Sequence, residues 1–169
     1  MVRITAHAIS LDRLVRAVRD PAAGAVVLFL GTTRNTNVGR RVVRLEYEAF
    51  APMAENEMRA LAAAAVERWP LCKTAMVHRI GRVPVGQTSV AIAVSAAHRG
   101  EAFVACHWLI DRLKEIVPIW KREHFQGGTV WVGAQQGGPE PPAPRRAAAG
   151  RRRGRPRARG RAGGRRRPR

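Results

Sequence analysis

The chain has 169 residues and a formal net charge of +19. Segment 139–169 contains only Arg, Pro, Gly, Ala and one Glu, and its 13 arginines carry +12 of that charge. With no large apolar side chain it cannot offset its ordering entropy, so disorder is expected there, and residues 1–138, at +7, remain as one compact domain with its own core.

No basic stretch followed by an apolar run opens the chain, and the apolar stretch around 22–30 is too short to span a membrane. Cys72 and Cys106 form neither a CxxC nor a zinc pattern. A reduced, cytoplasmic protein is expected.

Val2 to Ala8 reads as a first strand. Ser10 suits a helix N-cap, with Leu11, Leu14, Val15 and Val18 on one face and Pro21 and Gly24 beyond the end. Ala25 to Leu30 is an apolar run of strand length, which predicts a buried strand. Residues 31–39 form a polar loop bounded by turn residues. Val43, Leu45, Tyr47 and Ala49 alternate with Arg44, Glu46 and Glu48, the pattern of a half-buried strand. Pro52 suits the first turn of a second helix, whose stripe runs through Met58, Leu61, Ala62, Ala65, Val66 and Trp69. Thr74 to Ile80 and Thr88 to Ala97 read as strands joined by a turn-rich connection, 81–87. The second of them has Val90, Ile92 and Val94 on one face and Ala91 and Ala93 on the other, so both faces are expected to be covered. Ala102, Phe103, Cys106, Leu109, Ile110, Leu113 and Val117 mark a third helix that Pro118 ends. Ile119 to Glu123 and Thr129 to Val132 close the domain as a hairpin around Gln126-Gly127-Gly128. This order predicts an α+β sandwich with a mostly antiparallel sheet.

The cations worth weighing cluster around the third helix. His98 and Arg99 stand just before it, where unpaired N–H groups and a partial positive charge seat a phosphate or carboxylate. The plainer reading is that they cap the helix or pair with Glu101. Lys114 lies in the last turn, where any cation is favoured by the helix dipole, but at the edge of the apolar stripe. Lys121 sits on a short strand with Glu123 two residues on and Arg122 beside it. A partly buried lysine can act as base or nucleophile; a solvated one is a surface residue. The loop Thr32-Thr33-Arg34 leaves a strand end, so Arg34 is either a second anion contact or an exposed loop arginine. Glu46 and Glu48 read as a solvated face, and Cys106 as a packed thiol. The histidines show no metal-ligand spacing, and no GxGxxG, Walker-type loop or GxSxG occurs.

These pieces resemble the catalytic, large subunit of molybdopterin synthase. The resemblance is carried in order by Phe29-Leu30-Gly31-Thr32-Thr33-Arg34 with Asn35 and Asn37, Leu45-Glu46-Tyr47-Glu48, Pro52-Met53-Ala54, His78-Arg79-Ile80-Gly81 and Val85-Gly86. It continues through His98-Arg99-Gly100-Glu101-Ala102-Phe103, Asp111-Arg112-Leu113-Lys114, Val117-Pro118-Ile119-Trp120-Lys121-Arg122-Glu123 and Trp131-Val132. It implies a hammerhead-like fold and a sulfurtransferase of molybdenum cofactor biosynthesis. The substrate would be cyclic pyranopterin monophosphate, converted to molybdopterin by insertion of two sulfurs as a dithiolene. The sulfur donor would be the C-terminal Gly-Gly thiocarboxylate of a small ubiquitin-like subunit, whose tail threads into the large subunit. The assembly would be a heterotetramer around a large-subunit homodimer, and the step would need no metal or nucleotide cofactor.

By the same resemblance, Lys114 lies beside the docked glycine terminus and has the main catalytic role, activating the thiocarboxylate or protonating the leaving oxygen. Lys121 would hold and polarise the pterin, with Arg122 and Glu123 on the same wall. Thr32, Thr33, Arg34, His98 and Arg99 would bind phosphate and pterin edges. The chain departs from the family pattern at Thr33, where an aliphatic residue is more frequent, and at Gln87, where an acidic one is common. It also departs at Gly133-Ala134-Gln135-Gln136, where a basic residue often follows. Two other readings stand beside the enzyme. One is a noncatalytic family member. The other is a nucleic-acid-binding protein acting through the arginine-rich tail, which lacks aromatics for stacking and would bind nonspecifically.

Overall fold

In a computed structural model of the protein, residues 1–132 are described. The elements are β1 (Val2–Thr5), α1 (Leu11–Ala17), β2 (Ala25–Thr32), β3 (Thr36–Asn37), β4 (Arg40–Ala49), α2 (Ala51–Arg68), β5 (Leu71–Arg79), β6 (Gly81–Pro84), β7 (Thr88–Ala96), α3 (Arg99–Ile116), β8 (Ile119–Phe125) and β9 (Gly128–Val132). One sheet has the order β1-β5-β7-β2, with β1 parallel to β5 and the other neighbours antiparallel. The other has the order β3-β4-β8-β9, with β6 paired to β4. The fold is α+β with mostly antiparallel pairing, as the element order predicts.

Strand β7 lies at the centre of the core, buried from Ser89 to Ala96. Val90, Ile92 and Val94 face the cluster formed with α2 and α3, which includes Met58, Leu61, Leu109 and Leu113. Ala91 and Ala93 face Leu14 of α1 and Val18, the residue that caps its C-terminus. The small residues let a seven-residue helix lie close enough to bury Leu14 and the C-cap residue Val18 completely. Each such anchor stabilises by roughly 1.5–3 kcal/mol. Ser10 caps α1, its side chain accepting from the Arg13 amide at 3.3 Å.

The structure corrects four readings. The strand Ala25–Leu30 is not buried on both faces: β2 is an edge strand, α1 packs on β5 and β7, and Val26 and Leu28 are exposed. An apolar run reports composition but not place in the sheet order. In β4 the pairing with β8 shifts between Val42 and Arg44, so Val42 is buried and Val43 exposed. The 81–87 connection contains β6, which pairs Leu45 with Val83 and Tyr47 with Gly81. The loop after β2 is a hairpin, turning through Val38 at φ 47° and Gly39 at φ 72°. Elsewhere the first strand ends at Thr5, before Ala8.

Candidate functional site

The two sheets and the end of α3 enclose a cleft of about 410 Å³. Phe29 and Gly31 of β2, His78 of β5, and Ser89 and Val90 of β7 supply one side. Leu45 and Tyr47 of β4 and Lys121 and Glu123 of β8 supply the other, and Leu113 and Lys114 close it from α3. The chain leaves β2 through Thr32 and Arg34 into the β3–β4 hairpin, so Arg34 and Asn37 also line the cleft. Gly31 permits the tight strand contact here: a side chain there would meet Val90 Cγ1 at 2.5 Å.

Each cation arrives by local geometry. On α3, Ile110, Leu113 and Val117 go into the core and leave Lys114 exposed at the stripe's edge, in the last turn. On β8, alternation turns Ile119, Lys121 and Glu123 to the cleft. Glu123 is only 3% exposed and organises this wall. It pairs with Lys121 Nζ at 2.8 Å and accepts from Asn37 Nδ2 at 2.7 Å. Arg34 Nη2 in turn reaches Asn37 Oδ1 at 3.5 Å. Burial alone would raise the Glu123 carboxyl. Hydrogen bonds from Lys121 and Asn37 and the charges of Lys121 and Arg34 outweigh burial and hold it below the ordinary glutamate value. Among the described residues no carboxylate pairs with Lys114 or Arg34, so two of the three cleft cations remain available to an anion.

Thr32, Arg34, Lys114, Lys121 and Glu123 therefore meet in one cleft. Thr33 is buried beside it. Its amide donates to the Gln87 carbonyl at 3.0 Å and its own carbonyl accepts from Gly86, while its hydroxyl is buried without a partner among the described residues. Gln87 accepts from Arg79 Nη1 at 2.6 Å, a charge-assisted hydrogen bond onto a neutral amide. Arg122 faces away from the cleft, stacked 3.9 Å over the Trp131 ring with Glu48 at 3.3 Å. The alternation that turns Lys121 inward turns Arg122 outward, so the two do not share a wall. His98 and Arg99 are exposed at the start of α3, His98 makes no side-chain cap bond, and Glu101 pairs with neither. Lys114 stands fifteen helical steps beyond Arg99, about 22 Å along the axis, so one chain does not bring these groups together.

Sequence reasoning missed Asn37, Tyr47, His78 and Ser89 as cleft residues. Tyr47 was legible as the polar-tipped member of an apolar alternation; Asn37 and His78 stood only within the blocks of the family resemblance, with no role attached, and Ser89 carried no signal beyond a small residue. Cys106 is packed in the core, where burial pushes its thiol up to about 11, so it is protonated and inert. Among the described residues no group of three or more His, Cys, Asp or Glu is placed to hold a metal ion. No described helix is long and apolar enough to cross a membrane.

An α+β domain whose cleft is lined by three cations and one internally satisfied carboxylate is suited to anionic ligands. Residues 4–116 match the family model described as MoaE protein. The chain is 43% identical over 136 residues to the Homo sapiens molybdopterin synthase catalytic subunit, covering 80% of this chain and 72% of that protein. The crystal structure of molybdopterin synthase from Staphylococcus aureus superposes with a TM-score of 0.75 at 38% identity, covering 78% of this chain and 96% of that one. A Helicobacter pylori complex of subunits 1 and 2 of molybdopterin-converting factor shares the fold, with a TM-score of 0.64 at 20% identity over 81% of this chain and 92% of that one. The chain belongs to the MoaE protein family, whose characterised relatives are molybdopterin synthase catalytic subunits. These relatives favour molybdenum cofactor biosynthesis over the nucleic-acid-binding reading.

Proposed function

We propose that the protein is the catalytic subunit of a molybdopterin synthase, converting cyclic pyranopterin monophosphate to molybdopterin by inserting two sulfurs as a dithiolene. The observation that carries this reading is the convergence of Arg34, Lys114 and Lys121 on one cleft where Glu123, the single carboxylate among the described lining residues, is already satisfied. The substrate brings a phosphate and the sulfur donor brings a thiocarboxylate. Two anions approach one another only where fixed positive charge offsets their repulsion.

Lys114, exposed at the cleft edge and unpaired with any described carboxylate, is the group that activates the thiocarboxylate or protonates the leaving oxygen. Lys121, held by Glu123, polarises the pterin, and Arg34 with Thr32 receives the phosphate. The donor is the Gly-Gly thiocarboxylate of a small ubiquitin-like subunit. The designation "catalytic subunit" for the human relative and the two-subunit Helicobacter pylori complex support such a partner. His98 and Arg99 lie a helix length away, so they serve substrate only if a second copy of the chain brings its α3 start to this cleft. That is the role of the homodimer in this reading. Arg122 acts from behind, keeping Glu46 and Glu48 paired on the opposite face of β4 and β8.

The test is turnover with a thiocarboxylated small subunit. Lys114→Ala is expected to lower it by about 100-fold or more, the range of a lost acid–base group. A folded variant with unchanged turnover removes Lys114 from the mechanism. Segment 139–169 lies outside the described residues. Its deletion is expected to leave turnover intact and to abolish salt-sensitive binding of DNA or RNA.

A further inference from the structure

The floor of the cleft carries polar chemistry opposite to that of its rim. The side chain of His78 is almost fully buried against Tyr47, ring centroids 5.0 Å apart in an edge-on contact. Its Nδ1 lies 2.9 Å from the Arg79 carbonyl oxygen. A carbonyl can only accept, so Nδ1 carries the proton and Nε2 is left as a bare acceptor. Burial, partly offset by that hydrogen bond, lowers the imidazole to about 4, so it stays neutral near pH 7. Among the described residues Nε2 has no partner.

Tyr47 is locked by the same logic. Ser89 Oγ lies 3.1 Å from the Gly31 carbonyl, which takes the serine proton. Ser89 must then accept from the Tyr47 hydroxyl, 3.3 Å away, so the tyrosine proton is also committed. Both polar groups at the floor therefore offer lone pairs and no proton. Phe29 and Val90 flank them with apolar surface. An anion seated there would face only lone pairs, whereas a flat heterocycle can offer an N–H edge to these two acceptors.

Resting on the function proposed above, we propose that His78 Nε2 and Tyr47 Oη form an acceptor-only floor that binds the N–H edge of the substrate's pterin. This floor sets which end of the substrate faces inward, leaving the phosphate and the carbon atoms that receive sulfur at the cationic rim. His78 is a binding and specificity residue here, and no proton moves through it.

The experiment uses the full-length protein assembled with a small subunit ending in an ordinary carboxylate, so that cyclic pyranopterin monophosphate binds without reacting. His78→Asn keeps an amide donor near the Nδ1 position and loses the acceptor at Nε2. It is expected to weaken substrate binding about tenfold, the scale of one lost hydrogen bond. His78→Gln, which can place an amide oxygen near Nε2, is expected to recover part of the loss. Tyr47→Phe is expected to weaken binding by a few-fold. Wild-type affinity in a folded His78→Asn protein overturns the proposal. If Arg34→Ala and Lys121→Ala also bind as wild type, the cleft itself has been misassigned; if they weaken binding and His78→Asn does not, only the floor is wrong. A measurement on the unmutated protein covers the case of a variant that fails to fold. With ¹⁵N-labelled histidine, His78 Nε2 should resonate as an unprotonated nitrogen and shift when substrate is added. A protonated or unmoved Nε2 refutes the acceptor role.

Discussion

Thr33 shows how one atom departs from an otherwise consistent site. Its backbone is fully used, its side chain is buried, and its hydroxyl has no partner among the described residues. An unmet buried hydroxyl costs about 1–3 kcal/mol, and valine has nearly the same shape without that group. Thr33→Val is expected to raise thermal stability by about 1 kcal/mol with turnover unchanged; a lower melting temperature would show that the hydroxyl has a partner in solution. Glu123 is the reverse case, a buried charge with every neighbour arranged for it. Glu123→Gln removes the anion that holds Lys121 and, through Asn37, steadies Arg34. It is expected to raise the substrate KM several-fold, measured as turnover with the thiocarboxylated small subunit. The cleft side of β8 was legible because strand alternation sets Lys121 and Glu123 on one face. That same rule sends Arg122 to the other side.

The β3–β4 hairpin is the element that carries Arg34 and Asn37 over the cleft, and its turn is imperfect. Val38 holds a left-handed conformation, φ 47°, in which a β-branched side chain is strained, and its side chain is exposed and packs on nothing that would compensate. Val38→Asn is expected to stabilise the protein by about 1 kcal/mol, read as a shift in the denaturant midpoint at unchanged slope. No change would mean that the turn relaxes without it. The bulge at Val43 has a related consequence. One extra residue resets the alternation of β4, so Leu45 and Tyr47 face inward in register with β6 and β8 while Val43 does not. A period-two pattern shows a strand but does not reveal where an extra residue interrupts its pairing.

Acid should unfold this domain through identifiable groups. The His78 imidazole titrates near 6.5 when unfolded and near 4 in the fold. The unfolded chain therefore binds the extra proton first, and stability falls as pH drops through that window by roughly 3 kcal/mol. The lowered Glu123 carboxyl contributes stability above the ordinary glutamate range and loses it as pH falls through its folded value. Urea titrations from pH 7 to pH 4 are expected to show a steep loss in the wild type and a shallower one in His78→Phe; equal slopes would mean that His78 is protonated without unfolding.

The kinds and order of the elements could be read along the chain because periodicity, caps and prolines act over a few residues. The apolar stripes of α2 and α3 (apart from Val66 and Phe103, which are exposed), the two-faced β7 and the stop at Pro118 are all local signals. The edge position of β2, the pairing of β6 with β4 and the membership of the cleft depend on which strands lie side by side. Lys114, Lys121 and Arg34 come from three elements that meet only when the two sheets close against α3. His98 and Arg99 are close to Lys114 in sequence yet remain apart in the single chain, because a straight helix of 18 residues holds its two ends at opposite sides of the domain.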